Sequence, residues 1–325
     1  MHCIWPFLIF TFVEMSNMPN QRIISLLPAA TEMICALGLG HQLVGRSHEC
    51  DYPSSIVNLP VCSSAKFISG SNSAEIDKQV KEILSDSLSI YEVDSALIKQ
   101  LSPDIIITQA QCEVCAVSLN DVELALKDLL EKECQIISLE PHGLDDIYRE
   151  IQLLADQLGV PEAGLELLEL SEERINIIRH KLKFISERPS VACVEWLSPL
   201  MIAGNWTPEI VEIAGGTPVL TLAGKHSSYI NFEDIVKANP DILVLMPCGF
   251  SIQRTLQEIN LLIDLPGWSD LKAVQNQKIF VVDGNQYFNR SGPRITDSIE
   301  LMAEIINPKQ FVFGYEGNGW LNFRV

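Results

Sequence analysis

Leu101-Ser102-Pro103-Asp104-Ile105-Ile106-Ile107-Thr108 is the stretch that decides the fold. Pro103 stops whatever precedes it, and the unbroken apolar run that follows has the pattern of a strand buried on both faces. Such strands belong in a parallel sheet covered by helices. Ala238-Asn239-Pro240-Asp241-Ile242-Leu243-Val244-Leu245 repeats the design, with Pro-Asp directly before an apolar strand and a short helix before that. Two copies of one strand entry predict two α/β lobes.

The alternation spreads outward from the first copy. A helix near Ser95 to Leu101 leads into it, a helix over Leu119 to Glu131 follows it, and Gln135 to Leu139 reads as the next strand. Upstream, Ile23 to Leu27 is a strand. A helix follows with Thr31 as its N-cap and Gly38 or Gly40 as its stop. A short strand ends near Gly45, a loop runs through Pro53 and Pro60, and Ile76, Val80, Ile83 and Leu84 recur at helical spacing. From Leu144 to Phe184 the pattern is helical throughout: Ile147, Ile151, Leu154 and Leu158, then Leu165, Leu168, Ile175, Ile178 and Leu182, with Gly159-Val160-Pro161 as a break. Arg188-Pro189 closes that stretch. Val191 to Trp196 is a strand again, and Thr207-Pro208-Glu209 opens a helix that ends at Gly215-Gly216. The expected fold class is α/β, with two Rossmann-like lobes joined by a long helical backbone segment and a ligand cleft between them. The expected units are an N-terminal extension (1–21), a first lobe (22–142), a connecting helical segment (143–188), a second lobe (189–308) and a C-terminal tail (309–325).

Composition bounds the function. The 325 residues are 47% apolar and 20% charged, enough for two packed cores. A net charge of −19 argues against nucleic acid, whose phosphates need basic side chains. Nine cysteines, an odd number without a compact framework, fit a reducing compartment. Trp5 to Val13 is apolar, but nothing basic precedes it, Glu14 ends it, and it is too short to span a bilayer. The expectation is a cytoplasmic protein that starts at Met15 or Met18. A periplasmic or extracytoplasmic location is the alternative if the apolar segment is a signal.

Ligands of open α/β sheets bind beyond the carboxyl ends of the strands. Two runs fall there. His48-Glu49-Cys50-Asp51-Tyr52-Pro53 follows the short strand at Gly45, and Gln111-Cys112-Glu113-Val114-Cys115 follows the strand at Ile105. Cys112 and Cys115 can complete a tetrahedral zinc or iron site with His48 and Cys50. They can also act as a redox pair, line a cleft as soft groups, or be small buried hydrophobes. His48 is either a nitrogen donor or a hydrogen-bonding loop residue, and His226 has the same two readings; His142 reads as a structural cap. Trp196, Trp206, Tyr229, Tyr52 and Tyr287 fall on strand ends or loops and suit a large flat amphipathic ligand. Trp196 is equally a core residue, whereas Trp206, between Gly204-Asn205 and Thr207-Pro208, is hard to bury. Arg290 and Arg294 can meet a ligand's oxygens or pair with the chain's own acids. The sequence contains no dinucleotide fingerprint, phosphate-cradling loop or nucleophile elbow, and no carboxylate pair is spaced for acid–base work. Nothing argues for an enzyme or a required cofactor.

Arg22 to Glu32 followed by Ala36-Leu37-Gly38 and Leu43-Val44-Gly45 resembles the opening of the helical-backbone (cluster A, class III) substrate-binding proteins. These serve importers of vitamin B12, haem and iron–siderophores. Leu101-Ser102-Pro103-Asp104, Asn239-Pro240-Asp241 and Ala214-Gly215-Gly216 extend the resemblance over about Arg22 to Pro308. The runs at His48 and Gln111 are similar to a branch labelled cobalamin-binding. The resemblance implies two lobes bridged by one long helix, a wide shallow cleft and little hinge motion. It also implies glutamates that meet basic residues of an ABC permease, Glu209 being the candidate here. The implied ligand is a corrinoid (cobalamin-like) or related metal chelate, with axial ligation by His48 open to it. His48, Cys50, Tyr52, Gln111, Cys112 and Cys115 would line one side, and Trp196, Trp206, His226, Tyr229, Cys248, Tyr287 and Arg290 the other. Two alternatives stand beside it: a cytoplasmic metalloprotein with zinc or an iron–sulfur centre at His48, Cys50, Cys112 and Cys115, and an interaction protein with an empty cleft.

Overall fold

Asp104 and Asp241 show why the Pro-Asp entry recurs. In the computed structural model, which describes residues 20–86, 90–109, 117, 119, 122–123 and 134–324, the Asp104 carboxylate accepts the N–H of Arg22 at 2.8 Å. Asp241 accepts both the N–H and the hydroxyl of Ser190, at 2.9 and 2.7 Å. In each lobe a short helix, Ser95–Leu101 or Phe232–Ala238, ends in a left-handed residue, Ser102 at φ 45° or Asn239 at φ 43°. Proline then bars the helix from continuing, and the aspartate ties the start of the neighbouring strand.

The first lobe holds β1 (Ile23–Ser25), β2 (Leu43–Arg46), β3 (Ser63–Ala65), β4 (Tyr91–Val93), β5 (Ile105–Gln109) and β6 (Gln135–Leu139). Four of them form a parallel sheet in the order β2-β1-β5-β6, with Ile23 opposite Ile105. β3 and β4 pair antiparallel apart from that sheet and frame the helix Ser73–Asp86. The helix after β1 runs Pro28–Ala36 and so starts earlier than Thr31. Pro28 occupies the first turn, where its missing N–H costs nothing. Thr31 lies inside the helix, with Oγ1 bonded to Ser25 Oγ at 2.8 Å and to Leu27 O at 3.3 Å. Gly38, at φ +80°, follows the end of the helix as expected.

The connecting segment is two helices, Leu144–Gln157 and Pro161–Leu182, broken where Gly159 takes φ +77°. Ile147, Ile151 and Leu154 on the first, and Leu167, Ile175, Ile178 and Leu182 on the second, are the buried stripes that hold the pair to the lobes. Gly164 permits the crossing, since a Cβ there would come within 2.6 Å of the Ala155 Cβ.

The second lobe holds β7 (Ser190–Trp196), β8 (Met201–Ile202), β9 (Thr217–Pro218), β10 (Ser228–Tyr229), β11 (Ile242–Leu245), β12 (Ile279–Val282) and β13 (Trp320–Phe323). The sheet runs β10-β8-β7-β11-β12-β13, with β9 also pairing β7. The residues read as a tail therefore complete this sheet, β13 lying antiparallel to β12. Glu304, buried on the helix Ile295–Ile306, fixes them. Its carboxylate accepts the N–H groups of Phe313, Gly314 and Tyr315, and Trp320 Nε1 donates to it at 2.9 Å. The N-terminal extension as far as residue 19, and nearly all of the expected helix over 119–131, lie outside the described residues.

Candidate functional site

The loop after β2 is built around one guanidinium. Arg46 donates through Nη1 to the carbonyls of Ser47 and Cys50, both at 3.0 Å, and through Nη2 to that of Val57 at 2.7 Å. Those bonds fold residues 47–57 back on themselves at the carboxyl end of the sheet and set the positions of His48, Glu49, Cys50, Asp51 and Tyr52.

Each of the five meets a different environment. His48 is half-buried, with its ring centroid 5.5 Å from that of Tyr91 and Nδ1 at 2.9 Å from Ser63 Oγ. Burial, reinforced by the Arg46 charge, holds its pKa below the ordinary value, so the ring is neutral near pH 7. Burial pushes the Glu49 carboxyl up to about 7; Arg290 and a hydrogen bond with Tyr91 oppose that rise and Asp51 adds to it. Cys50 is buried, with Thr31 Oγ1 donating to its sulfur at 3.0 Å, and burial pushes its thiol up to about 12. A thiol so held is protonated near neutral pH. Burial would raise Asp51, but Arg290, aided by Asn285 and Arg294, holds it below the usual carboxylate range. Tyr52 is exposed on one side and covered on the other by the Arg294 guanidinium, 4.2 Å from its ring centre.

Asp51 takes the loop across to the second lobe. Arg290 Nη1 donates to it at 2.7 Å and to Glu32 at 3.0 Å. Arg294 closes the group with two bonds to Glu32, from Nε at 2.8 Å and from Nη2 at 2.6 Å, and Asn285 Nδ2 donates to Asp51 at 2.8 Å. Glu32, Arg290 and Arg294 are all buried. This is the centre of the seam between the lobes, and Arg290 serves there by pairing with the chain's own acids.

A second set of contacts lies along the seam's edge. The N–H of Ser73, at the start of the helix Ser73–Asp86, donates to Glu258 at 2.9 Å, and Trp196 Nε1 donates to Ser73 O at 3.2 Å. Tyr229 Oη donates to Asp77 at 3.0 Å, and Arg254 donates to Ser71 O. Arg254 also pairs with Glu258 at 2.7 Å and covers the Phe250 ring at 4.7 Å, beside Trp196.

Not every residue singled out in the sequence reaches this region. Trp206 is buried, and its Nε1 donates to Phe288 O at 2.5 Å; it is a core residue, because the turn at Gly204-Asn205 folds the indole inward. His226 is exposed and pairs edge to face with His142, their ring centres 6.1 Å apart. Tyr287 does reach it, packing against Tyr315 with its ring centre 5.8 Å from the Arg294 guanidinium, and Cys248 is half-buried after β11. Glu209 is half-exposed. Its Oε2 accepts the N–H of Leu144 at 2.8 Å and so caps the first connecting helix. Gln111, Cys112 and Cys115 lie outside the described residues. Among the described residues no three His, Cys, Asp or Glu side chains converge as a metal-binding group. The sequence reading missed Arg46, Ser63 and Glu32. A lone glutamate inside Pro28-Ala29-Ala30-Thr31-Glu32-Met33-Ile34-Cys35 was the one available signal, because a buried acid requires a partner.

The model of a family described as periplasmic binding protein matches residues 23–285. The chain belongs to the periplasmic binding protein family. An ABC transporter substrate-binding lipoprotein of Bacillus subtilis, YvrC, is 23% identical over 297 residues, covering 90% of this chain and 81% of YvrC. The vitamin B12-binding protein of Vibrio cholerae is 23% identical over 302 residues, covering 90% of this chain and 91% of its own length. Among solved structures, a possible iron-binding (periplasmic solute-binding) protein from Staphylococcus epidermidis superposes with a TM-score of 0.68 at 20% identity, over 89% of this chain and 100% of the other. The α/β fold with two lobes is therefore that of periplasmic binding proteins. The cytoplasmic expectation is overturned, since both the family and the lipoprotein relative point outside the cytoplasm. The cysteine count misled because Cys50, Cys62 and Cys193 are buried, with thiols raised to about 12, 11 and 12. Protonated thiols of that kind need no reducing compartment.

Proposed function

We propose that this chain is the substrate-binding component of an ABC-type importer and that its cargo is a corrinoid or related metal chelate, held non-covalently between the lobes. The observation that carries the reading is the His48–Tyr52 loop. It supplies an imidazole and a phenol ring at the carboxyl end of β2, and through Asp51 it meets Arg290 of the opposite lobe. Tyr91 stands beside the imidazole, while Trp196 and Phe250, with ring centres 5.1 Å apart, stand where the second lobe meets the helix Ser73–Asp86. Aromatic faces with polar handles suit a flat amphipathic ligand. The vitamin B12-binding relative, alignable over 91% of its length, supports the choice of class.

Calorimetric titration with hydroxocobalamin, and separately with ferric haem, tests the reading. Saturable one-to-one binding of either probe is the expected result. Heat from neither would overturn it, and zinc that survives dialysis would then favour the metalloprotein alternative.

A further inference from the structure

Among the described residues, one ring nitrogen of His48 is committed and the other makes no hydrogen bond. Ser63 Oγ lies 2.9 Å from His48 Nδ1, 3.3 Å from the His48 backbone nitrogen and 3.1 Å from Ser47 Oγ. A serine hydroxyl has one hydrogen to give and two lone pairs with which to accept. Ser63 gives its hydrogen to Ser47 Oγ, and one lone pair takes the His48 N–H. The remaining lone pair is free to accept from Nδ1, with Ser47 Oγ a further 3.4 Å neighbour of that nitrogen, and a ring proton on Nδ1 completes the network. Nε2 makes no hydrogen bond among the described residues.

We propose that Ser63, backed by Ser47, is a positioning residue that fixes His48 with its lone pair on Nε2, as the axial donor to the metal of a macrocyclic chelate. The proposal rests on the function given above and names the atom through which that cargo is held. A hydrogen bond to one ring nitrogen that sets the donor state of the other is how metal-binding histidines are oriented. The surroundings agree. Tyr91 limits rotation of the ring, and Arg46 holds the carbonyls of Ser47 and Cys50 on either side of His48 in sequence, so the loop is stiff before any ligand arrives. A tautomer fixed in advance removes a reorganisation cost from binding.

The test uses the full chain and two probes, hydroxocobalamin and ferric haem, followed by their absorption bands. Wild type should bind at least one of them with a shifted band. His48→Gly should lose the shift and bind more than tenfold more weakly, and added free imidazole should restore the band, a rescue no purely structural role would give. Ser63→Ala should weaken binding roughly tenfold, the scale seen when the outer partner of a ligating histidine is removed. Ser63→Thr, which keeps the hydroxyl, should recover most of that loss. Binding without a band shift, or an unchanged band in His48→Gly, would overturn the axial role and leave the proposed function standing. Unchanged affinity and band in Ser63→Ala would overturn the part given to the serine. Failure of wild type to bind either probe would remove the function and this proposal together.

Discussion

At the centre of the seam two arginines of the second lobe and two carboxylates of the first are matched charge for charge, and three of these four side chains are buried. Along its edge the lobes meet through the backbone of Ser71 and Ser73, an indole and a phenol more than half exposed. The first arrangement is costly to break, because removing one partner strands the others away from water. The second mixes one buried bond, from the Ser73 N–H to Glu258, with partly exposed ones. The seam is thus charge-matched in the middle and joined by individual hydrogen bonds at the rim.

The largest expected effect is therefore Glu32→Ala. It leaves Arg290 and Arg294 with Asp51 alone, and denaturant unfolding should show a loss of about 3–5 kcal/mol. The double variant Glu32→Ala/Arg294→Ala should cost less than the sum of its singles, and simple additivity would break the comparison. At the rim, Trp196→Phe removes the bonds from Nε1 to Ser73 O and Ser198 O and should cost about 1 kcal/mol. The same variant should hasten amide exchange in the helix Ser73–Asp86 and leave that of the helix Ile295–Ile306 unchanged.

Glu150, away from both sets of contacts, separates acid–base effects from the seam. Burial pushes its carboxyl up to about 7, partly offset by the Glu140 N–H it accepts, with Asp146 adding to the rise. Its folded value lies above its unfolded one. The folded state therefore binds more protons, and stability falls as pH rises from about 4.3 towards 7. Glu150→Gln, whose amide oxygen can accept the same N–H, should flatten that slope and stabilise the protein at pH 8 by roughly 1 kcal/mol, allowing for partial exposure. A slope that persists in thermal melts would return the titration to the seam. The smallest effect belongs to Tyr229→Phe, whose exposed bond to Asp77 should be worth less than about 0.5 kcal/mol.

How much of this was legible followed the range of the interaction. Ser95–Leu101, Gln135–Leu139 and Ile242–Leu245 were readable because proline, glycine and runs of apolar residues act locally. The break at Gly159 and the end of the helix at Gly38 were readable for the same reason. The interlobe group was not, since Glu32 and Arg294 are 262 residues apart and nothing near either names the other. Trp206 misled because neighbouring glycine and proline suggest a surface turn, whereas the indole's partner is the Phe288 carbonyl, 82 residues away. Ser63 gave no signal at all. A serine becomes significant only when a histidine from another strand end arrives beside it.

β13 has a consequence for solubility. It pairs antiparallel along the edge of β12, Ile279-Phe280-Val281-Val282, four buried apolar residues. A chain ending at Val312 would lose both that strand and the three loop N–H groups gathered by Glu304. It would present a flat apolar edge, the kind of template on which other strands add. The final residues thus act as a guard against self-association, and a shortened chain is expected to fail in the test tube as aggregate before it fails as a binder.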